Sequence, residues 1–162
     1  MDTSKKILGR DGLKRALEPH RKAGEKIVLA NGCFDLLHAG HIRYLTGARA
    51  EGDILVVAIN SDSSTQQLKG PGRPILPERG RAALVAALAC VDFVVIFAEP
   101  TVESLLNELR PNVHAKGTDY TPETVPERDM SARLGIRVAI VGDAKKHSTR
   151  DLLASIRKRA DG

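Results

Sequence analysis

The chain has 162 residues, 42% of them hydrophobic, which is enough for one core and too little for two ordinary domains. Its net charge of +5 and pI near 9.4 suit an anionic ligand. Aromatic content is only 3%, Lys and Arg are scattered, and no RNP-like or zinc-finger pattern appears, so base stacking and groove reading lack their usual residues and nucleic acid is disfavoured as a partner.

A helix over residues 11–23, with Leu13, Ala16 and Leu17 at helical spacing, leads into the first strand. Residues 1–25 are thus expected as a helical lead-in to a domain over 26–162, the two forming one compact unit. Ile27, Val28 and Leu29 are a short apolar run that fits a strand covered on both faces, with Asn31-Gly32 as a turn signal at its end. His38 and His41 follow at the start of a helix, where three-residue spacing puts both imidazoles on one face. Free N–H groups and the helix dipole favour anions at that place, and Gly40 lets phosphate approach the backbone.

Residues 53–60 form a second, nearly continuous apolar strand ending in polar Asn60-Ser61-Asp62. Residues 61–78 hold three prolines and two glycines around Lys69 and Arg73 and are predicted as a long functional loop. A helix over 77–90, a strand at Phe93–Phe97, a helix over 101–109 and a short strand at 113–115 come next. A helix over 122–134, a strand over 136–141 and a helix over 148–159, with Leu152, Leu153 and Ile156 inward, complete the pattern. Strict alternation predicts an α/β fold: one Rossmann-like domain with a five-stranded parallel sheet and helices on both faces.

Cys33 and Cys90 form neither a CxxC pair nor a disulfide framework, and Cys33 has no base beside it that would make it a nucleophile. The Met1-Asp-Thr-Ser-Lys-Lys6 start lacks the apolar segment of an export signal, and the apolar stretch 82–98 is broken by Asp92. A cytoplasmic protein with no membrane partner is expected.

The His38-x-x-His41 pair admits a metal site, two satisfied histidines, or anion binding. A metal wants three or four ligands, and His20, His114 and His147 lie in unrelated segments. Anion binding is preferred, since each imidazole can donate to a phosphate oxygen. In Lys145-Lys-His-Ser-Thr-Arg150, Ser148 and Asp151 fit a capping box, whereas Thr149, Arg150 and the lysines suit a polyphosphate at the same helix start. Lys69 and Arg81 are ambiguous alone. Lys116, Gly117 and Asp119 lie just past a strand end, where a simple turn competes with close backbone approach and a carboxylate for ribose hydroxyls. The cluster Arg157-Lys158-Arg159 complements the dipole of the last helix.

Six segments in order resemble the cytidylyltransferase-like nucleotidyltransferases: residues 31–41 (NGCFDLLHAGH), 60–62 (NSD), 68–70 (LKG) with Arg73-Pro74, 91–92 (VD), 116–120 (KGTDY) and 147–150 (HSTR). The likeness is greatest to the bacterial D-glycero-β-D-manno-heptose 1-phosphate adenylyltransferases, and it runs from about Ile7 to Arg159. Arg150 stands where many relatives have a second threonine, and Thr118 where glycine is common.

The resemblance implies transfer of AMP from ATP to heptose 1-phosphate, giving ADP-heptose for lipopolysaccharide core synthesis and pyrophosphate. It makes His38, His41, Lys69 and Arg150 catalytic. It makes Asn31, Gly32, Cys33, Phe34, Arg81, Lys116, Gly117, Asp119, Tyr120, Ser148 and Thr149 nucleotide contacts together with the histidines and Arg150, and it gives Asn60, Asp62 and Lys69 to the sugar phosphate. Mg²⁺ is expected with the triphosphate, held largely by phosphate oxygens and water. A homodimer is implied, as is a separate heptose kinase upstream, because no kinase fits before Lys26. Alternatives within the fold are a CTP-dependent glycerol 3-phosphate cytidylyltransferase and an FMN adenylyltransferase. A different class is a non-catalytic nucleotide-binding or nucleic-acid-binding protein. An aminoacyl-tRNA synthetase is disfavoured by length and by the lack of a KMSKS loop.

Overall fold

Five strands, all parallel, stand in the order β3-β2-β1-β4-β5 in a computed structural model that describes residues 2–143 and 149–160, with the backbone alone at 149–151 and 160. In chain order the elements are a 3-10 turn at Thr3–Lys6, α1 (Arg10–Lys22), β1 (Ile27–Gly32), α2 (Ala39–Arg49), β2 (Ile54–Asn60) and α3 (Asp62–Lys69). There follow α4 (Glu78–Ala86), β3 (Phe93–Phe97), α5 (Glu103–Leu109), β4 (Val113–Gly117), α6 (Arg128–Arg133), β5 (Arg137–Val141) and α7 (Thr149–Ala160).

Alternation along each strand divides the core in two. Val28, Ala30, Leu55, Val57 and Ile59 meet Leu45 and Ala48 of α2 and Ala82, Val85 and Ala86 of α4. Ile27, Leu29, Ile54, Val56 and Ala58 meet Leu13 and Leu17 of α1 and Leu105, Leu106 and Leu109 of α5. Both faces are therefore covered, which is why the central strands read as unbroken apolar runs. Leu13 and Leu17 are fully buried, so the lead-in helix belongs to the core itself. No helix among the described residues is long and apolar enough to cross a membrane.

The chain runs outward from β1 to β2 and β3, then returns to β4 on the other side of β1. This reversal sets up a crevice at the carboxyl ends of β1 and β4, the usual ligand position in such sheets. The register shows where it opens. β1 pairs with β2 as far as Gly32 against Ile59, but with β4 only as far as Ala30 against Ala115. Past that point the Tyr44 hydroxyl of α2 fills the gap, accepting from Asn31 N at 3.3 Å and donating to Ala115 O at 2.9 Å.

Several expected elements differ. Residues 61–78 are not loop throughout, because Asp62–Lys69 is helix α3, whose N-cap Ser61 accepts from Ser64 N at 3.2 Å. Its buried residues are Ser64 and Thr65, so it lacks the apolar stripe by which a helix is read. Asn31 and Gly32 continue β1 rather than turning, and β4 extends through Lys116 and Gly117 instead of ending at Ala115. The helix expected over 77–90 closes at Ala86, and of 122–134 only Arg128–Arg133 is helical. On α7, Leu152 and Ile156 point outward, at 40% and 54% exposure, while Leu153 is half-buried.

Candidate active site

A cavity of about 1180 Å³ lies over the carboxyl ends of the strands. Its middle is the segment between β1 and α2. Phe34 is held at φ 49°, unusual for a bulky side chain, and its ring lies over Gly32, where a Cβ would come within 3.1 Å of it. The same ring packs against His41 at 5.3 Å and Tyr44 at 6.3 Å between centroids. A side chain at Gly32 would therefore have to push the Phe34 ring aside, and the strained turn at Phe34 leads the chain into α2.

His38 is the N-cap of α2, and its Nδ1 accepts from Gly40 N at 3.1 Å. The amide that was expected to meet phosphate is therefore engaged by His38 itself. Because Nδ1 is an acceptor, the proton of this ring sits on Nε2. His38 and His41 stack with centroids 3.9 Å apart and planes at 26°, so both rings border the cavity as a pair.

On the β2 side stand Asn60, which is buried, and Lys69, which is exposed at the end of α3; both border the cavity. Phe97 and residues 100–102 close this end. On the β4 side, Lys116 and Gly117 border it from the strand, with Asp119 and Tyr120 from the turn beyond. Lys116 is buried, its Nζ 3.3 Å from Glu127 Oε2 and 4.6 Å from the Tyr120 ring centroid. Asn31, Gly32, Cys33 and Phe34 line the floor between the two ends.

Two expected contacts lie elsewhere. Arg81 is wholly buried beneath the site and absent from the cavity wall. Its guanidinium donates to Cys33 O at 2.6 Å, Asn60 O at 2.7 Å, Leu76 O at 2.9 Å and Asp62 Oδ1 at 2.7 Å. It ties the ends of β1 and β2 to the loop before α4, a structural role in place of a nucleotide contact. Asp62, engaged by Arg81, borders a smaller outer cleft rather than the main cavity. Ser148 lies outside the described residues, as do the side chains of Thr149 and Arg150, although the backbone at 149 and 150 opens α7. Farther along α7, Leu153, Ala154 and Arg157 border the cavity, so one arginine of the C-terminal basic cluster faces it.

Five residues gain a place that sequence reasoning missed. Tyr44 splints β1 to β4, and its buried hydroxyl is held well above the usual phenol range by desolvation. His114 is buried behind Asn31, and Glu127 behind Lys116. Asp35, 2% exposed, accepts from Arg73 Nε at 2.6 Å and from the amides of Ile75 and Leu76 at 2.7 and 3.0 Å. Asp35 and Arg73 stood inside recognisable segments, but nothing in the sequence pairs them.

Among the described residues no group of three or more His, Cys, Asp or Glu side chains could hold a metal. Glu127 is engaged by Lys116, Asp143 by Arg43 and Asp35 by Arg73. Such a donor set fits an ion that arrives on the oxygens of a polyphosphate better than one caged by protein.

The cytidylyltransferase-like family profile matches residues 29–153. The chain is 45% identical over 98% of its length to the bifunctional protein HldE of Syntrophotalea carbinolica, and 46% identical over 98% to that of Pelobacter propionicus. It spans 32% of each of those relatives, about a third of their length. Among solved structures it is similar to the lipopolysaccharide core biosynthesis protein from Thermoplasma volcanium, with TM-score 0.65 and 28% identity over 75% of this chain and all of that one. It shares its fold with the pantoate-beta-alanine ligase of Francisella tularensis, with TM-score 0.62 and 15% identity over 91% of this chain and 72% of that one. A parallel sheet reversing at β1, a histidine pair at the reversal and a match over residues 29–153 all point the same way: the chain belongs to the cytidylyltransferase-like family of nucleotidyltransferases.

Proposed function

We propose that this protein transfers the adenylyl group of ATP to D-glycero-β-D-manno-heptose 1-phosphate, releasing pyrophosphate and forming ADP-heptose for lipopolysaccharide core synthesis. The observation that carries this reading is the stacked His38–His41 pair at the middle of one cavity, with cations at both ends: Lys69 on the β2 side and Lys116 on the β4 side. A sugar phosphate is already an anionic nucleophile near neutral pH, so no general base is needed. Catalysis then consists of alignment and stabilisation of charge.

In this reading the nucleotide occupies the β4 side, against Asn31 to Phe34, Lys116, Gly117, Asp119 and Tyr120, and the acceptor occupies the side of Asn60 and Lys69. The acceptor oxygen attacks the α-phosphorus as the bond to pyrophosphate breaks. His38, donating from Nε2, and His41 meet the charge that grows on the α-phosphoryl and bridging oxygens. Lys69 aligns the two phosphates. Ser148, Thr149 and Arg150 are assigned to the β- and γ-phosphates by resemblance. Mg²⁺ neutralises the triphosphate when bound, carried by phosphate oxygens and water.

The sugar 1-phosphate must come from a kinase-type reaction, whether in a longer chain or a separate protein. A homodimer and a cytoplasmic setting complete the proposal; the thiols of Cys33 and Cys90 are free, as a reducing compartment would keep them. Pyrophosphate release measured over a matrix of ATP and CTP against heptose 1-phosphate, glycerol 3-phosphate and FMN tests the reaction. Fastest release from ATP with heptose 1-phosphate is expected, and faster release from CTP with glycerol 3-phosphate overturns it.

A further inference from the structure

We infer that Arg73 grips the phosphate monoester of the acceptor, and that the buried carboxylate of Asp35 is what aims it. This rests on the transfer reading above, and it names the group on the protein that recognises the second substrate. The segment from Gly70 to Pro77 joins α3 to α4 without helix or strand, and both Gly70 and Gly72 are left-handed, at φ 92° and 78°. Nothing in its own backbone holds it in place over the cavity. Asp35 does so: Oδ1 takes the amides of Ile75 and Leu76, and Oδ2 takes Arg73 Nε. The carboxylate that organises this loop lies three residues before His38, so one short segment places the catalytic ring and the arginine together.

Only Nε of Arg73 is used. Among the described residues, Nη1 and Nη2 make no hydrogen bond, and the side chain, 19% exposed, borders the cavity. What remains is a planar fork of N–H donors, the geometry that suits two oxygens of one phosphate. Asp35 balances the charge of Arg73, so the arginine contributes direction, while exposed Lys69 contributes charge.

Position decides which phosphate is gripped. Arg81 donates to both Leu76 O and Asn60 O, which fixes the loop beside the end of β2. Lys116 and Tyr120 lie on the other side of β1. Arg73 also borders the smaller outer cleft, but among the described residues that cleft holds no second cation and presents the Asp62 carboxylate, whereas the main cavity adds Lys69 and the histidine pair.

Calorimetric titration of heptose 1-phosphate into the protein saturated with a non-hydrolysable ATP analogue tests the assignment, with the analogue alone titrated as a control. Arg73→Ala should weaken the acceptor by about 10- to 100-fold while leaving the analogue within about twofold. Arg73→Lys, which keeps the charge but not the fork, should recover only part. Asp35→Asn can keep the loop amides on Oδ1 but turns a donor toward Nε, so it should resemble Arg73→Ala while thermal melting shows the loop still folded. Unchanged acceptor affinity in Arg73→Ala, or an equal loss for acceptor and analogue, overturns the assignment. If the wild-type protein takes up glycerol 3-phosphate but no heptose 1-phosphate, the heptose reading fails. The same comparison of variants on glycerol 3-phosphate then decides Arg73 independently.

Discussion

The Nε2 of His114 lies 3.0 Å from Asn31 Oδ1, so a fully buried imidazole on β4 fixes the carboxamide that lines the cavity floor on β1. The carboxamide oxygen can only accept, which puts the ring proton on Nε2 and leaves Nδ1 bare. Nδ1 is buried and has no hydrogen-bond partner among the described residues. A second proton there would have no acceptor. Burial, with the nearby Lys116 charge as the lesser cause, accordingly holds the imidazole down at about 3.

That depression makes stability depend on pH in a defined direction. The unfolded imidazole takes up a proton near its ordinary value of about 6.5, whereas the folded one resists until about 3. The stability linked to His114 is therefore fully present above about 6.5 and is lost as pH falls toward 3, with a slope approaching about 1.4 kcal/mol per pH unit. His114→Gln keeps a donor for Asn31 and cannot titrate. Urea unfolding at pH 7 and pH 5 should show wild type losing more than the variant by about 1–2 kcal/mol. Equal losses would place the acid sensitivity elsewhere.

His114 also shows where sequence reading stops. Parallel strands with few polar interruptions were legible, and β3 at Phe93–Phe97 matches its expected bounds, because burial on both faces leaves an apolar run. The HxGH segment was legible because its residues are contiguous. α3 was not, since its buried side chains are Ser64 and Thr65. Nor were the pairs that shape the site: Asp35 with Arg73, Asn31 with His114 and Lys116 with Glu127 are joined by folding across different elements, where no period along the chain relates them. Arg81 is ambiguous in the sequence and a nucleotide contact only by resemblance, since only the fold shows four acceptors already around it.

In the proposed reaction His41 acts on developing charge rather than holding the ground state. Its ring is braced by Phe34 and stacked on His38 at the cavity wall, so a donor there would need little reorganisation during the proposed transfer. His41→Ala should lower single-turnover rate by about 100-fold or more while changing ATP affinity far less. Rapid-quench rates and titrations of ATP on the same preparation separate the two effects. A rate near wild type removes His41 from the mechanism.

Arg81 should report on folding. Arg81→Lys keeps one cationic head but cannot reach Cys33 O, Asn60 O, Leu76 O and Asp62 together, so buried carbonyls lose donors. A loss of at least about 3 kcal/mol in denaturant unfolding is expected, since each unsatisfied buried group costs about 1–3 kcal/mol. An arginine that served only a nucleotide would leave unfolding of the free protein unchanged.

The Lys116–Glu127 pair separates stability from binding in one experiment. The side chains are 7% and 4% exposed, so removing either partner strands a charge in a poorly solvated place. Lys116→Met and Glu127→Leu should each destabilise by about 3–5 kcal/mol, and the double variant should recover most of that loss because no lone charge remains. ATP affinity should behave differently. Lys116 borders the cavity beside the Tyr120 ring, so if it meets the nucleotide as proposed, that cation is lost in Lys116→Met and is not restored by changing Glu127. A double-mutant cycle in urea, run beside ATP titrations of the same four proteins, should give strong coupling in stability and little in affinity. Additive stability losses would mean that the pair is not charged in the folded protein, and recovery of affinity in the double variant would remove Lys116 from the nucleotide end of the cavity.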